Sequence, residues 1–177
     1  GNLTLAAGTL DVSGANYDIS LSGNCSNMGG TFTPGSDTVT FNGASSQTIT
    51  NGNFNNLILN NTGNPGNIIV SSDLDVNGTF TITDGTLDLS TFGPYVYTAG
   101  NVSIASGSSV TKGGTWIFDG ITAATYTDST SSVQDIGVIE INKSSGLGSD
   151  NKLTVNSSGN GMKVETLTIY GNNTLDI

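Results

Sequence analysis

The chain has 177 residues but no histidine and no arginine, and its only basic side chains are four lysines. Histidine is the usual general acid or base near neutral pH, and arginine is the usual clamp for phosphate and carboxylate groups. Their absence removes the ordinary parts of catalytic triads and phosphate-binding sites. Fourteen acidic residues bring the formal net charge to -10, which argues against nucleic acid as a partner.

Cysteine is equally scarce, since Cys25 is the single one and no disulfide can form within the chain. Its polar neighbours suggest a thiol in a turn or at an edge, where it could pair with another molecule. A buried and inert thiol is the alternative. No apolar run approaches the roughly 20 residues that a membrane-spanning helix needs, so no membrane span is expected.

The residues that are present indicate strands. Charged residues make up 10% of the chain, against about 25% in ordinary domains. Short bursts such as Leu57-Ile58-Leu59 and 138–141 alternate apolar with polar or outward positions, which is typical of half-buried strands. Asn-Gly and Gly-Gly steps between the bursts supply turns. No window has helical periodicity, so the sequence predicts an all-β chain of many short strands.

A long internal repeat indicates how the strands are arranged. Residues 1–12, 78–89 and 165–177 share a Thr-Leu-Asp core, which divides the chain into units 1–77 and 78–164 and the start of a third at 165–177. A finer alternation of burst and turn predicts rungs of roughly 20–25 residues. We therefore predict one continuous right-handed parallel β-helix (β-solenoid) over 1–177. Tandem β-sandwich modules stay open as the alternative, because such a domain has roughly 100 residues, which is close to the length of one long repeat unit.

Three stretches, 30–49, 54–63 and 74–89, resemble a repeat of very large bacterial surface proteins. The resemblance covers nearly the whole first unit and weakens between 115 and 151. It implies a parallel β-helix of the adhesin or autotransporter-passenger kind, located outside the cell or on its surface. On this basis we expect a segment of a longer chain that forms a stiff rod, stalk or filament. Self-association by end-to-end or lateral stacking and contacts with cell surfaces or glycans are expected partners.

Catalysis would have to rely on carboxylates, because a glycoside-cleaving site needs a pair of them. Asp73 and Asp75 share one face of a strand, and Asp84 and Asp88 follow closely. Aspartates at strand ends and turns are more often structural. The Leu-Asp step also recurs with the long repeat, at Asp11, Asp88 and Asp176. We therefore expect that the chain is not an enzyme. We assign no catalytic residue, no cofactor and no metal ligand. A polysaccharide-degrading enzyme is the least favoured alternative.

A glycan- or ice-binding module is the main functional alternative, because threonines and aromatics alternate in several bursts. Tyr95 alternates with Tyr97, and Trp116 alternates with Phe118. Such pairs form a sugar-stacking strip if they face outward and belong to the core if they face inward. The Thr-x-Thr pairs are not evenly spaced, so the sequence alone does not place them on one face. These pairs are Thr31/Thr33, Thr38/Thr40, Thr48/Thr50, Thr79/Thr81 (which Thr83 continues), Thr125/Thr127 and Thr166/Thr168.

Overall fold

The computed structural model describes residues 1–63, 66–156 and 158–177, and these residues form a parallel β-solenoid of about eight coils without helix. All eighteen strand pairs among them are parallel. Parallel stacking confirms the predicted solenoid and excludes tandem sandwich modules, whose sheets are antiparallel. The right-handed winding stays a prediction.

The strands are three to nine residues long. In chain order they are β1 (Leu3–Leu5), β2 (Thr9–Asp11), β3 (Ile19–Leu21), β4 (Cys25–Asn27), β5 (Thr31–Thr33), β6 (Thr38–Phe41), β7 (Gln47–Thr50), β8 (Gly52–Phe54), β9 (Asn56–Asn60), β10 (Asn67–Val70), β11 (Leu74–Val76), β12 (Phe80–Asp88), β13 (Tyr95–Thr98), β14 (Val102–Ile104), β15 (Ser108–Thr111), β16 (Thr115–Phe118), β17 (Ala124–Asp128), β18 (Asp135–Ile141), β19 (Lys152–Val155), β20 (Lys163–Ile169) and β21 (Thr174–Asp176).

Three faces surround the core. The first face contains β1, β4, β7, β10, the second half of β12 and β15. The second face contains β2 and β5, followed by β8, β11, β13, β16, β18 and β20. The third face contains β3, β6, β9, the first half of β12, β14, β17, β19 and β21. Strand β12 belongs to two faces because the chain turns at Gly85, which has a φ of 86°.

Inward side chains on successive coils stack into an apolar column. On the third face Val39, Leu57, Phe80, Val102 and Tyr126 are register partners from one coil to the next, and none is more than 1% exposed. Each large apolar side chain buried in this way contributes about 1.5–3 kcal/mol relative to an exposed one. The column is therefore a major source of the stability of the fold.

Coil length varies more than the sequence predicts. The step from Phe80 to its register partner Val102 on the next coil agrees with the predicted rung. The step from Val39 to its partner on β9 is shorter than predicted, and the step from Ala124 to its partner on β19 is longer. The predicted rung length therefore holds at the first and last coils and fails at a few steps between them. The longest coil includes the loop 142–151 between β18 and β19.

The long sequence repeat does not keep one face of the solenoid. Residues 1–12 run from the first face to the second, 78–89 from the third to the first, and 165–177 from the second to the third. Each copy begins one face earlier than the copy before it. The repeat thus encodes a strand, a corner and a strand, and matching outward residues lie on different sides of the molecule.

Glycine is required where corners of adjacent coils touch. Gly78 precedes the third face in one coil and Gly100 precedes it in the next, and a Cβ on Gly100 would lie 2.2 Å from the Gly78 carbonyl oxygen. A real Cβ does not approach a backbone atom so closely, and backbone here cannot move without disturbing two coils. Because the two backbones lie so close together, position 100 at this corner requires glycine.

We expect Gly100→Ala to lower the free energy of unfolding by about 1–3 kcal/mol, because the added methyl group forces the two coils apart. Gly161→Ala is the matched control, since nothing lies within 4 Å of a Cβ at that position. Urea denaturation followed by circular dichroism measures both variants. Equal stability of the two variants would show that the coils do not touch at this corner.

Candidate binding faces

Two tyrosines and two aspartates form a compact group on the outside of the second face. Asp73 and Asp75 flank Leu74 on one coil, and Tyr95 and Tyr97 lie directly beside them on the next coil. The Tyr95 amide donates a 3.0 Å hydrogen bond to Asp73 Oδ1. The two tyrosine ring centroids are 6.2 Å apart, and Tyr95 is 48% exposed. We call these four residues the tyrosine–aspartate patch.

Negative charge is concentrated around the patch. Burial raises the pKa of Asp75, and nearby Asp119 raises it further. Burial also raises the pKa of Asp119. Burial raises the pKa of Tyr97 as well, and the charge of Asp73 adds to that effect. These carboxylates can accept hydrogen bonds but repel anions, so the patch suits a ligand that donates hydrogen bonds.

Sequence reasoning identified Asp73 and Asp75 but missed Asp119 beside them. The signal was present, because the interval between Asp75 and Asp119 is that of two whole rungs of the predicted length. The register shows why they meet: Asp75 is the partner of Tyr97, Tyr97 is the partner of Ile117, and Asp119 follows shortly after. Spacing by whole rungs, rather than by neighbouring positions, brings these carboxylates together.

A buried lysine at the corner next to Asp119 was also missed. Lys143 is 3% exposed, and its Nζ donates hydrogen bonds to the carbonyl oxygens of Ala99 at 3.0 Å and Asp119 at 2.5 Å. Burial lowers the pKa of Lys143, while Asp119 opposes that shift. The ammonium group is therefore committed to the corner of the solenoid and does not offer a free charge to a ligand.

The other aspartates considered for catalysis lie elsewhere. Asp88 Oδ1 accepts hydrogen bonds from the amide and hydroxyl of Ser90, and Asp11 does the same with Ser13. Asp84 caps the bend of β12, where its Oδ1 accepts a bond from the next amide along the chain. These local bonds agree with the structural interpretation of the Leu-Asp step. Within the residues described, no three His, Cys, Asp or Glu side chains group in a way that could hold a metal ion.

The two alternating aromatic pairs face in opposite directions. Tyr95 and Tyr97 face outward, with buried Val96 between them. Trp116 and Phe118 face inward and are stacked at 6.3 Å, so an exposed sugar-stacking pair at these two positions is wrong. The register of each strand determines which of its side chains face the core, and the alternation of residues does not reveal that register.

Three of the six threonine pairs share the third face. They lie on alternate coils, separated by coils that carry Asn56 with Ile58 and Asn101 with Ser103 at the same positions. The remaining pairs lie on the first and second faces, so the threonines do not form an unbroken lattice. Ice binding stays a prediction. The pairs on the third face are Thr38/Thr40, Thr79/Thr81 and Thr125/Thr127.

Cys25 is buried and faces the core rather than solvent. It is 5% exposed, and burial raises its pKa to about 11. A thiol in this state is almost wholly protonated near neutral pH and reacts slowly. The buried alternative is confirmed, and the interpretation as a turn or edge thiol is wrong.

Asp37 is a buried carboxylate without a compensating partner among the residues that the structure describes. It is 2% exposed, and neither carboxylate oxygen accepts a hydrogen bond from another of those residues. Burial raises the pKa of Asp37, its own backbone amide opposes that shift, and repulsion from Asp18 adds to it. We expect Asp37→Asn to raise the free energy of unfolding at pH 7 by about 1 kcal/mol, because an unpaired buried charge is removed.

The pH dependence of this effect follows from the raised pKa. A folded-state pKa above the unfolded value means that folding favours the protonated carboxyl, so the wild type loses stability as the pH rises through the folded pKa of Asp37. The advantage of Asp37→Asn should therefore be widest near neutral pH and close in acid. Asp88→Asn, which weakens the bonds from Ser90, should not stabilise the chain. Urea denaturation between pH 4 and pH 7 tests both, and an Asp37→Asn advantage that widens in acid would contradict the assignment.

Comparisons with known proteins yield no match: no family model, no curated protein and no solved structure resembles the chain significantly. Among the residues that the structure describes, no helix is long and apolar enough to cross a bilayer. The class of the molecule therefore comes from its fold, and it is a parallel β-solenoid repeat protein. The arrangement is consistent with a structural role.

Proposed function

We propose that this chain is a structural and adhesive repeat module of an extracellular bacterial rod, stalk or filament. The observation that supports the proposal best is the apolar column, which continues from Leu21 on β3 to Val155 on β19. Parallel ladders hold each coil to the next over the same length. A one-dimensional stack of this kind resists bending, because every coil is fixed by two neighbours through hydrogen bonds and packing.

The distribution of charge supports a rod that stays dispersed. The stretch 1–111 carries half of the fourteen acidic residues and no basic side chain. Of the four lysines, Lys143 is buried and the other three lie beside carboxylates, for example Lys163 at 3.0 Å from Asp135. A surface dominated by uncompensated negative charge makes such rods repel one another laterally.

Electron microscopy of the native protein, combined with antibody labelling of intact cells, tests this proposal. We expect surface-labelled rods or fibres and an axial diffraction spacing of about 4.8 Å. Discrete beads, or label that reaches the protein only after the cells are opened, would contradict it. The proposal gives the chain no catalytic step, so sugar release that is lost in Asp73→Asn or Asp75→Asn would also contradict it.

A further inference from the structure

The tyrosine–aspartate patch combines an aromatic surface with carboxylate oxygens that accept hydrogen bonds. Tyr95 and Tyr97 stand side by side on the outside of β13, and their rings form a tilted platform with an interplanar angle of 37°. Ile117, the register partner of Tyr97 on the next coil, is buried, so the accessible aromatic surface consists of the two tyrosine rings. Tyr95 is exposed and Tyr97 is half-buried, so both rings offer part of their surface to a molecule approaching from solvent.

We infer that the tyrosine–aspartate patch binds a neutral, hydroxyl-rich glycan. This inference rests on the proposed adhesive function and names its ligand class. The faces of aromatic rings carry negative potential and pack against the polarised C–H groups on the flat side of a sugar ring. Asp73 and Asp75, which lie beside the two rings, accept hydrogen bonds from sugar hydroxyls without needing a counterion.

The charges around the patch decide between kinds of glycan. Asp73, Asp75 and Asp119 all act on Tyr97, and Lys143, which lies beside Asp119, is buried and bonded to backbone carbonyls. An acidic polysaccharide would meet repulsion here without any basic group to bind its carboxylates or sulfates. A neutral chain avoids that repulsion and uses both the rings and the acceptors. A basic peptide would use the charge but would leave the flat aromatic platform without a specific role.

Calorimetric titration with defined hexasaccharides, and with one hexapeptide as a comparator, tests the inference. The neutral probes are cellohexaose, laminarihexaose, xylohexaose and N-acetylated chitohexaose, and the charged comparators are hexagalacturonate and hexalysine. We expect at least one neutral probe to bind, with an affinity that changes little when about 0.5 M salt screens the charges. Neither charged comparator should bind more tightly than that probe.

Variants assign the binding to the patch. We expect Tyr97→Ala and Tyr95→Ala each to weaken the neutral probe about tenfold, whereas the matched control Tyr17→Ala, an exposed tyrosine outside the patch, should stay within about twofold of wild type. Both patch tyrosines point away from the core, and circular dichroism checks that the variants remain folded. The recovered probe should be uncleaved.

Three results would overturn the inference: no binding by any neutral probe at millimolar concentration, neutral binding that both tyrosine variants retain, or salt-sensitive binding of hexalysine alone. Failure of the proposed function would look different. Rods that are absent from the cell surface while the patch still binds a glycan would remove the structural role and leave the ligand site. Surface rods without glycan binding would remove the ligand site and leave the structural role.

Discussion

Replacing Phe80 by alanine is expected to lower the free energy of unfolding by about 3–5 kcal/mol, the usual cost of removing a buried phenylalanine ring. Phe80 is fully buried and stacks on Trp116 at 5.8 Å, and its register partners Leu57 and Val102 lie on the coils before and after it. The cavity would therefore open in the middle of the column, where neighbouring coils cannot collapse into it without losing their own register.

Urea denaturation followed by the fluorescence of Trp116 measures this loss close to the cavity, because Trp116 is the single tryptophan. Thr81→Ala on the same strand is the matched control, since Thr81 faces outward and its loss should change stability by about 0.5 kcal/mol or less. Phe80→Leu should fall between the two. A Phe80→Ala variant as stable as Thr81→Ala would show that the column is not the source of stability.

Replacing Lys143 by methionine is expected to cost about 2–5 kcal/mol, because methionine leaves the carbonyl oxygens of Ala99 and Asp119 without their donor. Methionine keeps an unbranched apolar stem and is shorter than lysine by the one terminal atom. The change also leaves the partly buried Asp119 carboxylate without a nearby positive charge. Unsatisfied buried acceptors cost about 1–3 kcal/mol each, and removal of one partner of a buried charge pair is more severe.

Lys152→Met is the matched control for Lys143→Met, because Lys152 pairs with Asp176 at the surface and such pairs contribute about 0–1 kcal/mol. The double variant Lys143→Met/Asp119→Asn should recover part of the loss, since the carboxylate charge is removed together with the ammonium group. Chemical denaturation of the wild type, Lys143→Met, Asp119→Asn and the double variant completes the cycle. Equal losses in the two lysine variants would contradict the buried role of Lys143.

Local pattern is enough to predict the strands. The bursts at 57–59, 102–104 and 138–141 coincide with β9, β14 and most of β18, because alternation and Asn-Gly turns act within a few residues. Parallel stacking also follows from the repeat. The faces do not, because coils of unequal length shift the register by amounts that no local signal records.

The candidate site could be predicted only in part for the same reason. The tyrosines on β13 and the aspartates on β11 are visible as alternating pairs, but alternation does not say which member faces solvent. Trp116 and Phe118 have the same pattern and belong to the core. The burial of Lys143 is harder still to predict from the sequence, because lysines are almost never fully buried. Only the carbonyl groups on two earlier coils, which accept its hydrogen bonds, explain its position.

The central claim is the parallel register from coil to coil, and a disulfide between adjacent coils tests it most directly. Thr81 and Ser103 are outward register partners on β12 and β14. Neighbouring strands lie about 4.8 Å apart, within the Cα separation that a disulfide spans. Cys25 is buried with a raised pKa and should not compete.

The Thr81→Cys/Ser103→Cys variant should therefore form an intramolecular disulfide on mild oxidation, identified by mass spectrometry of its peptides. Thr81→Cys/Thr111→Cys, which places the second thiol on the first face, should not. A disulfide in the first variant alone is the result that the parallel solenoid predicts. No disulfide in the first variant, or equal crosslinking in both, would contradict it.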